Sequence, residues 1–211
     1  MKETNELINT ITAATGMLLA YIGFIALIVV SNSYDDTWKL VCSVVYGITL
    51  ILLHTASTIH HGMLLISKPE KKYLVLDLSC IYALIAGTYT PIVLVQLYNP
   101  LGITIAATIW ALAITGISIN MANYERFKGL NLPLYLFMGW FALIGFKELI
   151  AVMDPNGIIL IVIGGLFFTV GTFFLTRKNS RYAHGVWHIL VLLGCASHYF
   201  SIMNYVLPFG T

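Results

Sequence analysis

The chain has 211 residues, of which 59% are hydrophobic and only 9% charged; soluble domains carry about 25% charged residues, so an ordinary water-soluble fold is excluded. The formal net charge of +2 decides little by itself, because in a chain this apolar the placement of the charges matters more than their sum. Cys42, Cys80 and Cys195 fall inside or at the edge of apolar runs, where they read as buried small side chains and not as a disulfide framework.

Seven apolar stretches approach or exceed the roughly 20 residues needed to cross a bilayer. They predict helices over about 7–30, 39–64, 74–97, 100–121, 132–153, 157–176 and 182–207. The first run begins near Ile8 and has no A-x-A-like cleavage site after a short core, so it reads as a retained span. Asn32-Ser33-Tyr34-Asp35-Asp36 closes it, and Lys68-Pro69-Glu70-Lys71-Lys72 separates the second helix from the third. Asn99-Pro100 divides the third from the fourth, a kinked hairpin being the alternative there. Asn123 to Lys128, Asp154-Pro155-Asn156-Gly157 and Arg177 to Arg181 mark the remaining boundaries. Lys147 and Glu148 lie in the outer half of the fifth helix, where a long Lys stem can snorkel toward the interface. Trp38, Tyr98, Trp140 and Tyr205 stand near helix ends, as interfacial anchors do. The scattered glycines read as points of close helix packing. No Gly-rich phosphate loop, heptad repeat or low-complexity segment interrupts the pattern. The prediction is an all-α membrane protein, one seven-transmembrane helix bundle over residues 1–211.

Orientation follows from Lys and Arg. Lys2, Lys68, Lys71, Lys72, Arg126, Lys128, Arg177, Lys178 and Arg181 lie in the N-terminus and the even-numbered connections, while the odd-numbered ones hold only Lys39. By the positive-inside rule this predicts a cytoplasmic N-terminus and a C-terminus outside.

That topology places unusual polar groups at one depth. The last predicted helix opens with His184-Gly185-Val186-Trp187-His188, whose histidines are four residues apart and so share one helix face about 6 Å apart. The second ends with Ser57-Thr58-Ile59-His60-His61, and the third begins with Leu76-Asp77-Leu78. Each group lies within about two turns of the cytoplasmic end of its helix, at a rise of about 1.5 Å per residue. Three His and one Asp converging there make a plausible zinc environment with room for water. The bland alternative is a polar cluster that hydrogen-bonds helices together. Ser57 precedes His61 by four residues and shares its face, whereas His60 points roughly 100° away; the spacing favours His61 and leaves His60 as the other choice. His54, on the His61 stripe, and His198, in the last helix, lie deeper. Each reads as a buried hydrogen-bonded histidine or, more sharply, as a proton relay or support for the ligands.

At these residues the chain resembles the hemolysin III family, within the larger group of progestin and adipoQ receptors. The resemblance rests on Ser57 to His61, on Asp77 followed by Ile81-Tyr82-Ala83-Leu84-Ile85-Ala86-Gly87-Thr88-Tyr89-Thr90-Pro91, on Gly139-Trp140 and Gly164-Gly165, and on His184 to His188. Glu6-Leu7-Ile8-Asn9 is similar to the family's opening, although Ala13 stands where members often carry His. His60 stands where a Tyr usually precedes the ligand His. The resemblance implies a seven-helix bundle with a zinc ion held by His61, His184 and His188, with Asp77 binding directly or through water and Ser57 in support. It also suggests cleavage of a lipid amide bond; zinc chemistry makes the expectation a hydrolase of lipid amide or ester bonds, in which Asp77 takes the proton of water and Ser57 bonds the developing oxyanion or fixes the water. A non-enzymatic membrane protein with structural zinc, such as a homeostasis regulator, an ion conductor or a cytolysin, is the alternative. Membrane lipids are the expected partners, one of them a possible substrate; nucleic acid is not, and the expected location is a bacterial plasma membrane.

Overall fold

The computed structural model describes residues 2–66, 70–177 and 182–210, and all regular structure among them is helical. Lys68, Lys178 and Arg181, three of the charges that predict orientation, lie outside the described residues. Helix α1 runs Lys2–Asn32, α2 Thr37–Ile66, α3 Lys71–Gln96 and α4 Pro100–Phe127. Next come α5 at Asn131–Trp140, α6 at Phe146–Val152, α7 at Pro155–Thr176 and α8 at Ala183–Ser201, the last continued by a π-turn at Ile202–Val206.

The boundaries have local causes. Asp36 caps α2 by accepting the Trp38 amide at 2.9 Å, after Asp35 takes the left-handed backbone the turn requires (φ 49°). Asn99 is extended and its side chain accepts from the Gly102 amide at 3.0 Å, with Pro100 at the first helical position. The chain therefore breaks at Asn99-Pro100, and α3 and α4 are separate helices. Asp154 caps α7 in the same manner, accepting from the Asn156 amide at 2.8 Å ahead of Pro155.

Six helical stretches are long and apolar enough to cross a membrane: Asn5–Asn32, Thr37–Ile66, Lys71–Gln96, Pro100–Val152, Pro155–Thr176 and Ala183–Val206. Leu18, Ile22, Ile25 and Val29 of α1 and Ile159, Leu166, Val170 and Phe173 of α7 point outward. Helices that are apolar on both their packed and their outer faces need lipid around them, and the protein is an integral membrane protein.

The stretch Pro100–Val152 departs from expectation. Its 53 residues would reach about 80 Å as one straight helix, far beyond a hydrocarbon core of about 30 Å, and it is broken in several places. Helix α4 passes its predicted end at 121 and runs to Phe127 across a non-helical Asn123. The predicted helix over 132–153 is divided into α5, a 3-10 turn at Phe141–Gly145, and α6. The cause is a side chain from α3. The Tyr89 hydroxyl donates to the Met138 carbonyl at 2.8 Å and accepts from the Ala142 amide at 2.7 Å. Those two groups would otherwise bond each other as an α-helical pair, so the hydroxyl is wedged into the ladder and splits it.

Successive helices pack side by side from α1 to α4, α7 packs along α8, and α8 returns to α1. α3 is the innermost, with 72% of its most apolar window buried against 11% for α7. Gly87 of α3 lies against Thr49 of α2, and Gly47 of α2 against Phe24 of α1, so closely that a Cβ at either glycine would overlap its neighbour; these contacts let α1, α2 and α3 approach one another. The three cysteines are buried and free.

Candidate metal centre

The end of α2, the beginnings of α1 and α8 and the first turns of α3 meet at one end of the bundle. His61, on α2, is 3% exposed. Its Nε2 lies 3.0 Å from His188 Nε2 and 3.3 Å from His184 Nε2. One ligand atom from each of these three histidines falls within 4.8 Å of the others. Around a tetrahedral zinc with Zn–N bonds of about 2.0–2.1 Å, two nitrogens stand about 3.3 Å apart. The two spacings from His61 lie near that edge and the third pair stays within 4.8 Å, so the residues present fit the ion.

The other ring nitrogen of His61 is held. Its Nδ1 lies 2.8 Å from Glu6 Oε2, so Nδ1–H donates to the carboxylate and the Nε2 lone pair faces the other two histidines. This is the carboxylate–histidine arrangement that orients metal ligands and raises their basicity. Asn9, one turn along α1, donates to the same carboxylate oxygen at 3.4 Å. Glu6 shows no chemical role in the sequence pattern. The available signal was an acidic side chain three residues before Asn9 at the entrance to an apolar run.

A second convergence shares His61: His60, His61 and Asp77 also bring one ligand atom each within 4.8 Å of one another. Asp77 is half-buried, and it shares the wall of the inner cavity with Ser57, the polar neighbour that faces its carboxyl. The ion pairs among the described residues are His61–Glu6, Lys71–Glu125, Lys72–Glu70 and Lys128–Glu125, none of which neutralises Asp77. A carboxylate in this position keeps its capacity to take a proton or to face a cation.

Two cavities meet at the cluster, and His60 and His184 line both. The inner one is about 330 Å³, within the size range of small-molecule pockets, and its walls are mostly apolar, with Leu53, Leu78, Ile81, Leu84 and Val191 among them. The outer one, about 440 Å³, is walled by Asn5, Glu6 and Asn9 as well as by apolar groups. The histidines and Asp77 thus stand between an oily chamber inside the bundle and a more polar vestibule at its end. His54 and His198 both line the inner chamber, the latter with Nε2 3.0 Å from the Ile161 carbonyl.

The family model for haemolysin-III-related proteins matches residues 1–199. "Hemolysin-3" of Bacillus cereus is 37% identical over 207 residues, covering 96% of this chain and 92% of that protein. "Hemolysin-3 homolog" of Bacillus subtilis is 36% identical over 201 residues, covering 95% and 93%. More distantly, "Monocyte to macrophage differentiation factor" of Homo sapiens is 29% identical over 184 residues, covering 82% of this chain and 73% of its own length.

Proposed function

The chain belongs to the haemolysin-III-related family, and from that membership and the three-histidine cluster we propose that it is a zinc-dependent hydrolase of lipid amide or ester bonds. The observation that carries this reading is the convergence of His61, His184 and His188 with Nε2 atoms 3.0 and 3.3 Å from His61, beside a carboxylate and at the mouth of an apolar chamber. In the proposed topology the chain crosses the membrane seven times with the N-terminus in the cytoplasm. Residues 131–152, a run of 22 (152 − 131 + 1), are about 33 Å long as helix, enough for a crossing of their own. Lys71, Lys72, Arg126, Lys128 and Arg177 stand at helix ends expected on the cytoplasmic side.

His61, His184 and His188 would hold the ion, with Asp77 completing the site directly or through water. Zinc in such a site supplies Lewis acidity, polarising a carbonyl and making a water acidic at neutral pH. Asp77 takes the proton released from water at its carboxylate and returns it to the departing amine or alcohol. Ser57 orients that carboxylate through its hydroxyl. Glu6 keeps His61 in the tautomer that presents Nε2. The inner chamber takes an acyl chain among leucine and isoleucine side chains and keeps bulk water from the reacting carbonyl, while the vestibule admits water and releases the polar product. Replacing Glu6 by Ala, which frees the His61 ring, is expected to weaken zinc affinity by about 10- to 100-fold, as read by competition with a chromophoric chelator.

A second reading follows from where the ligands sit. α2 and α8 lie far apart in sequence, and an ion shared by His61, His184 and His188 would staple them without any turnover. Fatty-acid release from a ceramide by the detergent-purified protein separates the two. Hydrolysis predicts release that stops on chelation and returns with zinc. Zinc-loaded protein with no release above a protein-free blank would leave the staple and end the hydrolase reading.

A further inference from the structure

The inner chamber holds a polar group that the mechanism leaves unused. His54 precedes Ser57 by three residues and His61 by seven, so the three form one stripe along α2 with His54 about 10 Å deeper than His61. His54 is 6% exposed and lines the chamber. Its ring rests on Gly16 of α1, where a Cβ would overlap it, so it is backed by one helix and open to the chamber on its other side. Most of the polar side chains around it in the chamber are committed: Thr12 to the Ile8 carbonyl, Thr88 to Leu84, Tyr89 to Met138, Tyr135 to Leu78, Trp140 to Thr169 and His198 to Ile161. Among the described residues the His54 ring has no hydrogen-bond partner; its backbone carbonyl accepts from Thr58, and its ring lies near enough to His188 to interact with it electrostatically. An imidazole that faces an apolar chamber without a partner favours a ligand that brings a hydrogen-bonding group to that depth.

We propose that His54 is a second binding station: it hydrogen-bonds a hydroxyl or carbonyl set part-way along an otherwise apolar chain whose head lies at the histidine cluster. The proposal rests on the reading that the chamber takes an acyl chain. It makes the chamber selective for chain-oxygenated lipids over plain ones.

The test compares octadecanoic acid with its mid-chain hydroxylated analogue, by equilibrium binding to the zinc-loaded, detergent-purified protein. The wild type should bind the hydroxylated acid about three- to tenfold more tightly, the equivalent of one net hydrogen bond. His54→Leu should abolish that preference while binding the plain acid at least as well, and His54→Gln should retain part of it. Equal affinities in the wild type, a comparison that needs no variant to fold, would overturn the proposal and leave the acyl chamber standing. So would a preference that survives His54→Leu. If neither acid binds, the acyl reading and this one fall together.

Discussion

Asp77→Asn should slow lipid-amide hydrolysis by about 10²- to 10⁴-fold, the range that general acid–base catalysis contributes. Asparagine keeps the shape of the side chain and can still bond the Ser57 hydroxyl, but its amide neither takes the proton from water nor hands it to the leaving group. The histidine cluster is a separate set of nitrogens, with contacts of 3.0 and 3.3 Å that do not involve Asp77, so bound zinc should stay close to the wild-type amount. Loss of turnover with metal retained assigns Asp77 to the chemistry. Unchanged turnover would remove it from the mechanism, and loss of both metal and turnover would make it a ligand before anything else.

His184→Ala should abolish metal binding and, with it, the stabilising effect of metal. Two histidines are too few for a closed zinc site, and His61, held by Glu6 at 2.8 Å, would face only His188. Because a ligand that binds only the folded state stabilises it by mass action, zinc at a hundred times its dissociation constant is worth about 2.7 kcal/mol. Chelation should therefore lower the wild-type melting temperature by several degrees, scaled to about that free energy, and leave the variant unmoved. His184 is exposed at the open end of the bundle, so its removal should open little space in the packed core. A variant that melts as the wild type does, with the same response to chelator, would show that the cluster holds no metal of consequence.

Much of this arrangement is legible in the chain because its signals are local. Pro100 and Pro155 with their capping Asn99 and Asp154 mark helix starts, and the spacings Ser57 to His61 and His184 to His188 place side chains on single faces whatever the tertiary fold. Charge placement then predicts three helix ends at one depth, which is enough to expect the histidines and Asp77 to meet. What the sequence does not display are contacts made across the bundle. The Tyr89 hydroxyl that splits the helix after Met138 acts on residues about 50 positions away, and nothing in the apolar run from 132 to 153 signals the interruption. Glu6 reaches His61 over a separation of 55 residues. His54 reads from the sequence as a buried hydrogen-bonded histidine or a support for the ligands; its seat on Gly16 and the pairing of its neighbours are what reveal an uncommitted ring.

The most direct test of the metal centre is elemental analysis joined to X-ray absorption at the zinc edge, on protein purified in detergent without chelators. The expected result is about one zinc per chain, with three nitrogen ligands at about 2.0–2.1 Å and oxygen completing the shell. Protein that carries no zinc, or zinc coordinated by sulfur, would contradict it and reduce His61, His184 and His188 to a polar contact between helices.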